Sequence, residues 1–162
     1  MKELTLQDYI TPLIEQIRFS CMVLKHGGPF GALVFKQEND KIIPISVGYN
    51  RVLVDHDPTA HAEIVAIREA CKALHTHDLS GCNIYASGYP CPMCMSAILW
   101  SNINNIYYSG TYEQAADIGF RDEFIFKFLK NNCKNEKILI QHIPNEELLQ
   151  LYKDFSTLNI NY

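Results

Sequence analysis

Three metal-binding side chains stand in two short stretches, His61-Ala62-Glu63 and Pro90-Cys91-Pro92-Met93-Cys94. One imidazole and two thiolates suit zinc. They leave one tetrahedral position open, as a catalytic zinc site does. Alone, each stretch says little. A CxxC pair also serves as a redox couple, as half of a structural zinc site or as two core thiols, and a lone helical histidine is more often packed or solvated. Together they point to metal: His61, Cys91 and Cys94 as ligands of one Zn2+. Glu63 follows His61 by two positions and does not share its helix face. It therefore reads as a proton shuttle above the metal, the catalytic acid and base. A non-enzymatic zinc module would need a fourth protein ligand, with Cys71 or Cys82 as candidates, and would leave Glu63 without a role.

These residues need two helix N-termini to hold them. Pro92 suits the first turn of a helix, where its missing N–H costs nothing. Cys91 is then the N-cap, with Cys94 on the same face. Unpaired N–H groups and the helix dipole favour thiolate there. Asp57-Pro58-Thr59 reads as the start of another helix, with His61 and Glu63 in its first turn. The positive dipole end disfavours imidazolium and keeps His61 neutral for metal.

Around these two helices the pattern predicts an α/β chain. Apolar residues at helical spacing give a helix over 8–25. Pro12 is tolerable only in a first turn, so that helix should start at residues 8–11. Strands are predicted at 30–35, 42–49, 82–87, 103–109 and 137–142, the first two as a hairpin with Pro44 on an edge. Further helices are predicted at 60–74, 91–100, 122–130 and 146–155, with loops at 51–59 and 111–121. Strands alternating with helices build a mostly parallel sheet with helices on both faces. The two metal-bearing helices must lie side by side, their N-termini converging at the end of the sheet.

Composition sets the outer bounds. The chain has 162 residues, enough for one domain with a real core, here spanning 1–162 with 156–162 as a tail. A hydrophobic content of 48% argues against disorder. No apolar run is long enough for a bilayer, and the N-terminus lacks a signal peptide's apolar stretch. A reducing cytoplasm is expected, so six cysteines do not imply disulfides. A net charge of −4 weighs against a nucleic-acid partner. The lysines at 127, 130, 134 and 137 are interrupted by acids and read as a solvated helix face.

With these residues in view, the chain from about Gly27 onward resembles the cytidine deaminase-like superfamily. Within it the likeness is greatest to bacterial-type guanine deaminases. Asp57-Pro58-Thr59-Ala60-His61-Ala62-Glu63 matches their core motif residue for residue. Gly28-Pro29-Phe30-Gly31-Ala32 and Ala97-Ile98-Leu99-Trp100 are similar to flanking stretches, and so is Gly119-Phe120-Arg121-Asp122. The resemblance implies a three-layer α/β/α sandwich around a five-stranded sheet of order 2-1-3-4-5, its last two strands parallel. It implies hydrolytic deamination of a free purine base, guanine to xanthine and ammonia. Asn50 would read the base edge, and Phe30, Ala62, Cys91, Trp100 and the terminal Tyr162 would contact it. Asp122 or Glu147 would be a second acid. It also implies a homodimer, with the C-terminal segment possibly exchanged between subunits. Adenosine deamination in tRNA remains open, as does another small amino-heterocycle or nucleoside such as cytosine or guanosine, and the sequence does not settle base against nucleoside. One position departs from the family pattern. The residue before Pro90 is usually glutamate, and here it is Tyr89, which is not expected to line the pocket.

Each supporting residue also has a plain structural role open to it. Phe30 and Trp100 suit a core, and Asn50 suits a turn cap. Asp122 suits a helix N-cap, and Glu146 and Glu147 suit the acidic first turn of a helix.

Overall fold

The protein is described by a computed structural model covering residues 4–39, 41–120, 122–133, 137–158 and 160. It divides into two compact units, residues 1–125 and 126–162.

The first unit opens with α1 (Leu6–Arg18), which runs into a wider π-helical turn, Phe19–Val23. Strands β1 (Gly31–Glu38) and β2 (Lys41–Tyr49) follow, then a single turn α2 (Val52–Asp55) and α3 (Ala62–Leu74). The order continues with β3 (Asn83–Gly88), α4 (Pro92–Trp100), β4 (Asn105–Gly110) and α5 (Tyr112–Asp117). Helix α6 (Glu123–Lys130) begins in this unit. Within the second unit lies α7 (Glu146–Ser156), capped by the Asn145 side chain accepting from Leu148 N–H at 2.8 Å.

The sheet runs β2-β1-β3-β4, as the first four strands of the expected order. It is mixed rather than mostly parallel. β1 is antiparallel to both β2 and β3, and only β3 and β4 pair in parallel. A hairpin supplies β1 and β2, and that forces the first antiparallel pair. The fifth strand expected at 137–142 does not form among the described residues, where Ile138 makes only an isolated bridge. Leu139, Ile140 and Ile143 are exposed, so a strand there would have no buried face to reward it. Pro44 lies on the edge strand as expected, and the register slips opposite it between Val34 and Phe35.

Strand alternation separates two cores. Ala32, Val34 and Ile84 pack under α3 and α4 with Ala66, Ile67, Ala70 and Ile98. Leu33, Phe35 and Tyr85 face the other way, against Ile10, Leu13 and Ile17 of α1. The result is the expected α/β/α layering.

Three local expectations change. Helix α1 starts at Leu6, so Pro12 lies inside it, one turn further in than expected. A capping box at the start, Thr5 with Asp8, and the buried apolar stripe outweigh the lost hydrogen bond. Asp57 opens no helix; its carboxylate caps a turn by accepting from Thr59 N–H and Oγ1 at 2.8 and 2.7 Å. The stretches 51–59 and 111–121, expected as loops, each hold a short helix.

Candidate active site

β2 and β3 run in the same direction, with β1 between them. The chain leaves their C-terminal ends into α3 and α4. Both helices therefore begin at one end of the sheet, where open α/β folds place their ligands. His61 is the N-cap of α3 in extended conformation, one residue before the first turn where it was expected. Cys91 is the N-cap of α4, with Pro92 in its first turn and its sulfur accepting from Cys94 N–H at 3.5 Å. The approach of α3 to β2 depends on Gly48. A Cβ there would collide with the Ala62 carbonyl and the Ala66 amide.

The ligand atoms of His61, Cys91 and Cys94 lie within 4.8 Å of one another. His61 Nδ1 is 3.6 Å from Cys91 Sγ and 3.5 Å from Cys94 Sγ. Zinc holds sulfur at about 2.3 Å and imidazole nitrogen at about 2.0–2.1 Å, so tetrahedral geometry separates such a pair by about 3.6 Å. The donor set fits that ion in type and spacing. No fourth His, Cys, Asp or Glu joins the group among the described residues. Ile64, Met93 and Ala97 pack around the two thiols and keep them dry.

The three groups shift one another's protonation. Cys91 is held down at about 4, first by the hydrogen bond it shares with Cys94 and then by His61. Cys94 is pushed up by sharing that proton and by burial. The Cys91 sulfur raises His61 in turn. A cation placed among them displaces those protons.

A small cleft opens over the cluster. His61, Glu63 and Cys91 lie on its floor, and Phe30, Asn50 and Asp122 also line it. Glu63 is only 8% exposed. Burial first, and the Cys91 charge beside it, raise its carboxyl above the ordinary range. Asp122 is raised by the same two causes. Asn50 is 4% exposed, and its Oδ1 accepts from Gly28 N–H at 3.1 Å and Val52 N–H at 3.2 Å. Those two donors fix the amide orientation and leave Nδ2 to donate. Asn50 thus makes the turn expected of it as a structural residue and still lines the cleft.

Two other sequence candidates of the first unit do not line the cleft. Ala62 is fully buried in the core under the sheet and does not line the cleft. Trp100 is 75% exposed. It stands nine residues after Cys91, about 13 Å along the axis of α4, and so belongs to the end of that helix remote from the thiols. Glu147 is exposed in the first turn of α7, in the second unit. Tyr162 lies outside the described residues, as does part of the tail 156–162.

The cleft also contains residues not expected in it. Phe120 lines it, with its ring edge-on to Phe30 at 4.8 Å between centroids. Tyr89 lines it as well, against expectation. It directly precedes the Pro90-Cys91 segment, so its nearness to a metal ligand was readable from position alone.

A family model described as the cytidine and deoxycytidylate deaminase zinc-binding region matches residues 12–110. The chain belongs to this family of zinc-dependent deaminases. Guanine deaminase of Bacillus subtilis (strain 168) is 40% identical over 133 residues, 80% of this chain and 83% of that protein. A tRNA-specific adenosine deaminase of Aquifex aeolicus is 33% identical over 127 residues, 78% of this chain and 79% of that protein. The crystal structure of Bacillus subtilis guanine deaminase matches with a TM-score of 0.84 at 32% identity, covering 98% of this chain and 99% of that one. No helix of the described residues is long and apolar enough to cross a membrane.

Proposed function

We propose that this deaminase hydrolyses guanine to xanthine and ammonia. The observation that carries the reading is the buried Glu63 carboxyl in the same cleft as a three-donor metal cluster with no fourth protein ligand among the described residues. A structural zinc site is closed by four ligands, whereas a catalytic one keeps a position free.

His61, Cys91 and Cys94 would hold the zinc. Bound there, it supplies Lewis acidity, which makes water acidic enough to serve as a nucleophile near neutral pH. Glu63 takes the proton from the attacking water, whose oxygen bonds to C2 of the base. The same carboxyl returns the proton to the ring nitrogen. It then delivers the second water proton to the amine as the C2–N bond breaks, so that water and guanine give xanthine and ammonia. A carboxyl raised by burial suits both halves of this cycle. Asp122, raised in the same cleft, would assist the leaving amine. Asn50 Nδ2 donates to a carbonyl oxygen or ring nitrogen of the base, and Phe30 and the His61 ring flank its faces.

Guanine is favoured over adenosine in tRNA by the greater identity to the Bacillus guanine deaminase than to the Aquifex tRNA enzyme. The net charge of −4 also opposes a polyanion. An ammonia-release screen over guanine, guanosine, adenine, cytosine, cytidine and a tRNA anticodon stem tests the choice. Release from guanine alone, or fastest from guanine, is expected; release from the stem alone would overturn it.

We propose further that the chain forms a homodimer and works in the cytoplasm, in purine breakdown. Leu99 and Trp100, both apolar and exposed at the end of α4, support a buried contact there. Sedimentation at micromolar concentration should give a dimer; a monomer would contradict it.

A further inference from the structure

The proposed chemistry leaves one wall of the cleft without a role. Tyr89 joins the end of β3 to the start of α4, between Gly88 and Pro90. A residue before proline is held extended, and residues two apart in an extended segment point the same way. Tyr89 and Cys91 accordingly both line the cleft. The Tyr89 backbone is tied down by its N–H, which donates to the Gly110 carbonyl at 2.8 Å. Its ring meets Tyr108 of β4 at 90°, with centroids 5.1 Å apart. Tyr89 is 41% exposed and Tyr108 50% exposed, and Tyr108 does not line the cleft. Tyr89 therefore stands at the rim, with a second ring behind it. Gly88, just before it, lies against Phe30; a Cβ there would come within 3.2 Å of that ring. Phe120, Phe30 and Tyr89 thus put three aromatic rings on the lining of one cleft.

We propose that Tyr89 is a specificity-determining residue. It closes the rim against a sugar on the base, so that the site takes free nucleobases and rejects nucleosides and polynucleotides. A flat ring system slides along aromatic rings, whereas a ribose is bulky in all directions and has to leave through the rim. A ring braced from behind cannot swing aside for it, and this clash is how a site excludes an otherwise similar ligand. The inference rests on the deaminase reading above and names the substrate class of the same cleft.

The test compares base and nucleoside as matched pairs: guanine with guanosine, adenine with adenosine, cytosine with cytidine. For zinc-loaded wild type, Tyr89→Ala, Tyr89→Phe and Tyr108→Ala, kcat/KM is measured for each ligand and Kd by calorimetry. The wild type should prefer the base. Tyr89→Ala should raise the nucleoside-to-base ratio about tenfold or more, with zinc content unchanged. Tyr89→Phe should keep the wild-type ratio, and Tyr108→Ala should shift it part of the way. Tyr89→Leu gives the same reading if the alanine variant fails to fold. An unchanged ratio in a folded, zinc-loaded Tyr89→Ala or Tyr89→Leu overturns the proposal, as does a wild type that prefers nucleosides. Failure with guanine but preference for another free base overturns the guanine reading alone.

Discussion

Glu63 lies two residues from His61, in the first turn of α3 and buried in the same cleft, a position that suits proton transfer rather than metal binding. Glu63→Gln should keep one zinc per chain and the fold while ammonia release falls by a factor on the order of 10² to 10⁴. Near-wild-type release, with zinc measured in parallel, would refute the mechanism. His61→Ala and Cys94→Ala should lose zinc and lower the unfolding midpoint, since metal binding is coupled to folding. Full zinc occupancy in either would mean that the ligand set is wrong. The placement of these residues was legible in the sequence because each sits at a helix start marked by its own spacing. Pro92 at the head of α4 fixes the relation of Cys91 to Cys94. Tyr89 was legible as a neighbour of Cys91 though not by the direction of its ring, and Phe120 was not legible, because its connection is placed by tertiary packing. Trp100 was expected at the base from its neighbours in the motif, and its spacing of nine residues from Cys91 already put it at the far end of α4.

The elements work through close approach as much as through apolar burial. Gly48→Val would drive a side chain into the first turns of α3 and should cost at least about 1–3 kcal/mol, measured by urea unfolding. It should also weaken zinc binding, because His61 moves with that helix. Unchanged stability would show that α3 has slack against β2. Pro12 offers the opposite sign. It is exposed within α1, and Pro12→Ala restores a helical N–H, so stability should rise by about 1–3 kcal/mol in the same assay. The four strands and the β1–β2 hairpin were readable from alternation and turns; the order was implied by the family resemblance, and the antiparallel pairing of β1 with β3 was not readable. Apolar patterning says which residues are strands and leaves the sense of pairing to the connections. The run at 137–142 has the apolar composition of a strand and lacks a buried face, which composition cannot reveal. Helix α5 carried a signal that propensity obscured. Thr111 and Gln114 cap it reciprocally, with Thr111 N–H donating to Gln114 Oε1 at 2.8 Å.

At the scale of the whole molecule, metal, fold and activity are one linked system. Chelation should lower the thermal midpoint and abolish turnover together, and added zinc should restore both, because an ion bound only by the folded state stabilises it by mass action. A midpoint indifferent to chelator would uncouple the metal from the fold. The layered α/β/α unit brings two helix N-termini to one end of a sheet, and the metal cluster, the raised carboxyls and the aromatic rings meet there. The most direct measurement is product analysis of guanine incubated with the zinc-loaded chain. Xanthine and ammonia should appear in equal amounts with wild type and be nearly absent with Glu63→Gln at equal zinc content. No xanthine from guanine, with inosine formed instead in a tRNA anticodon stem, would contradict the account.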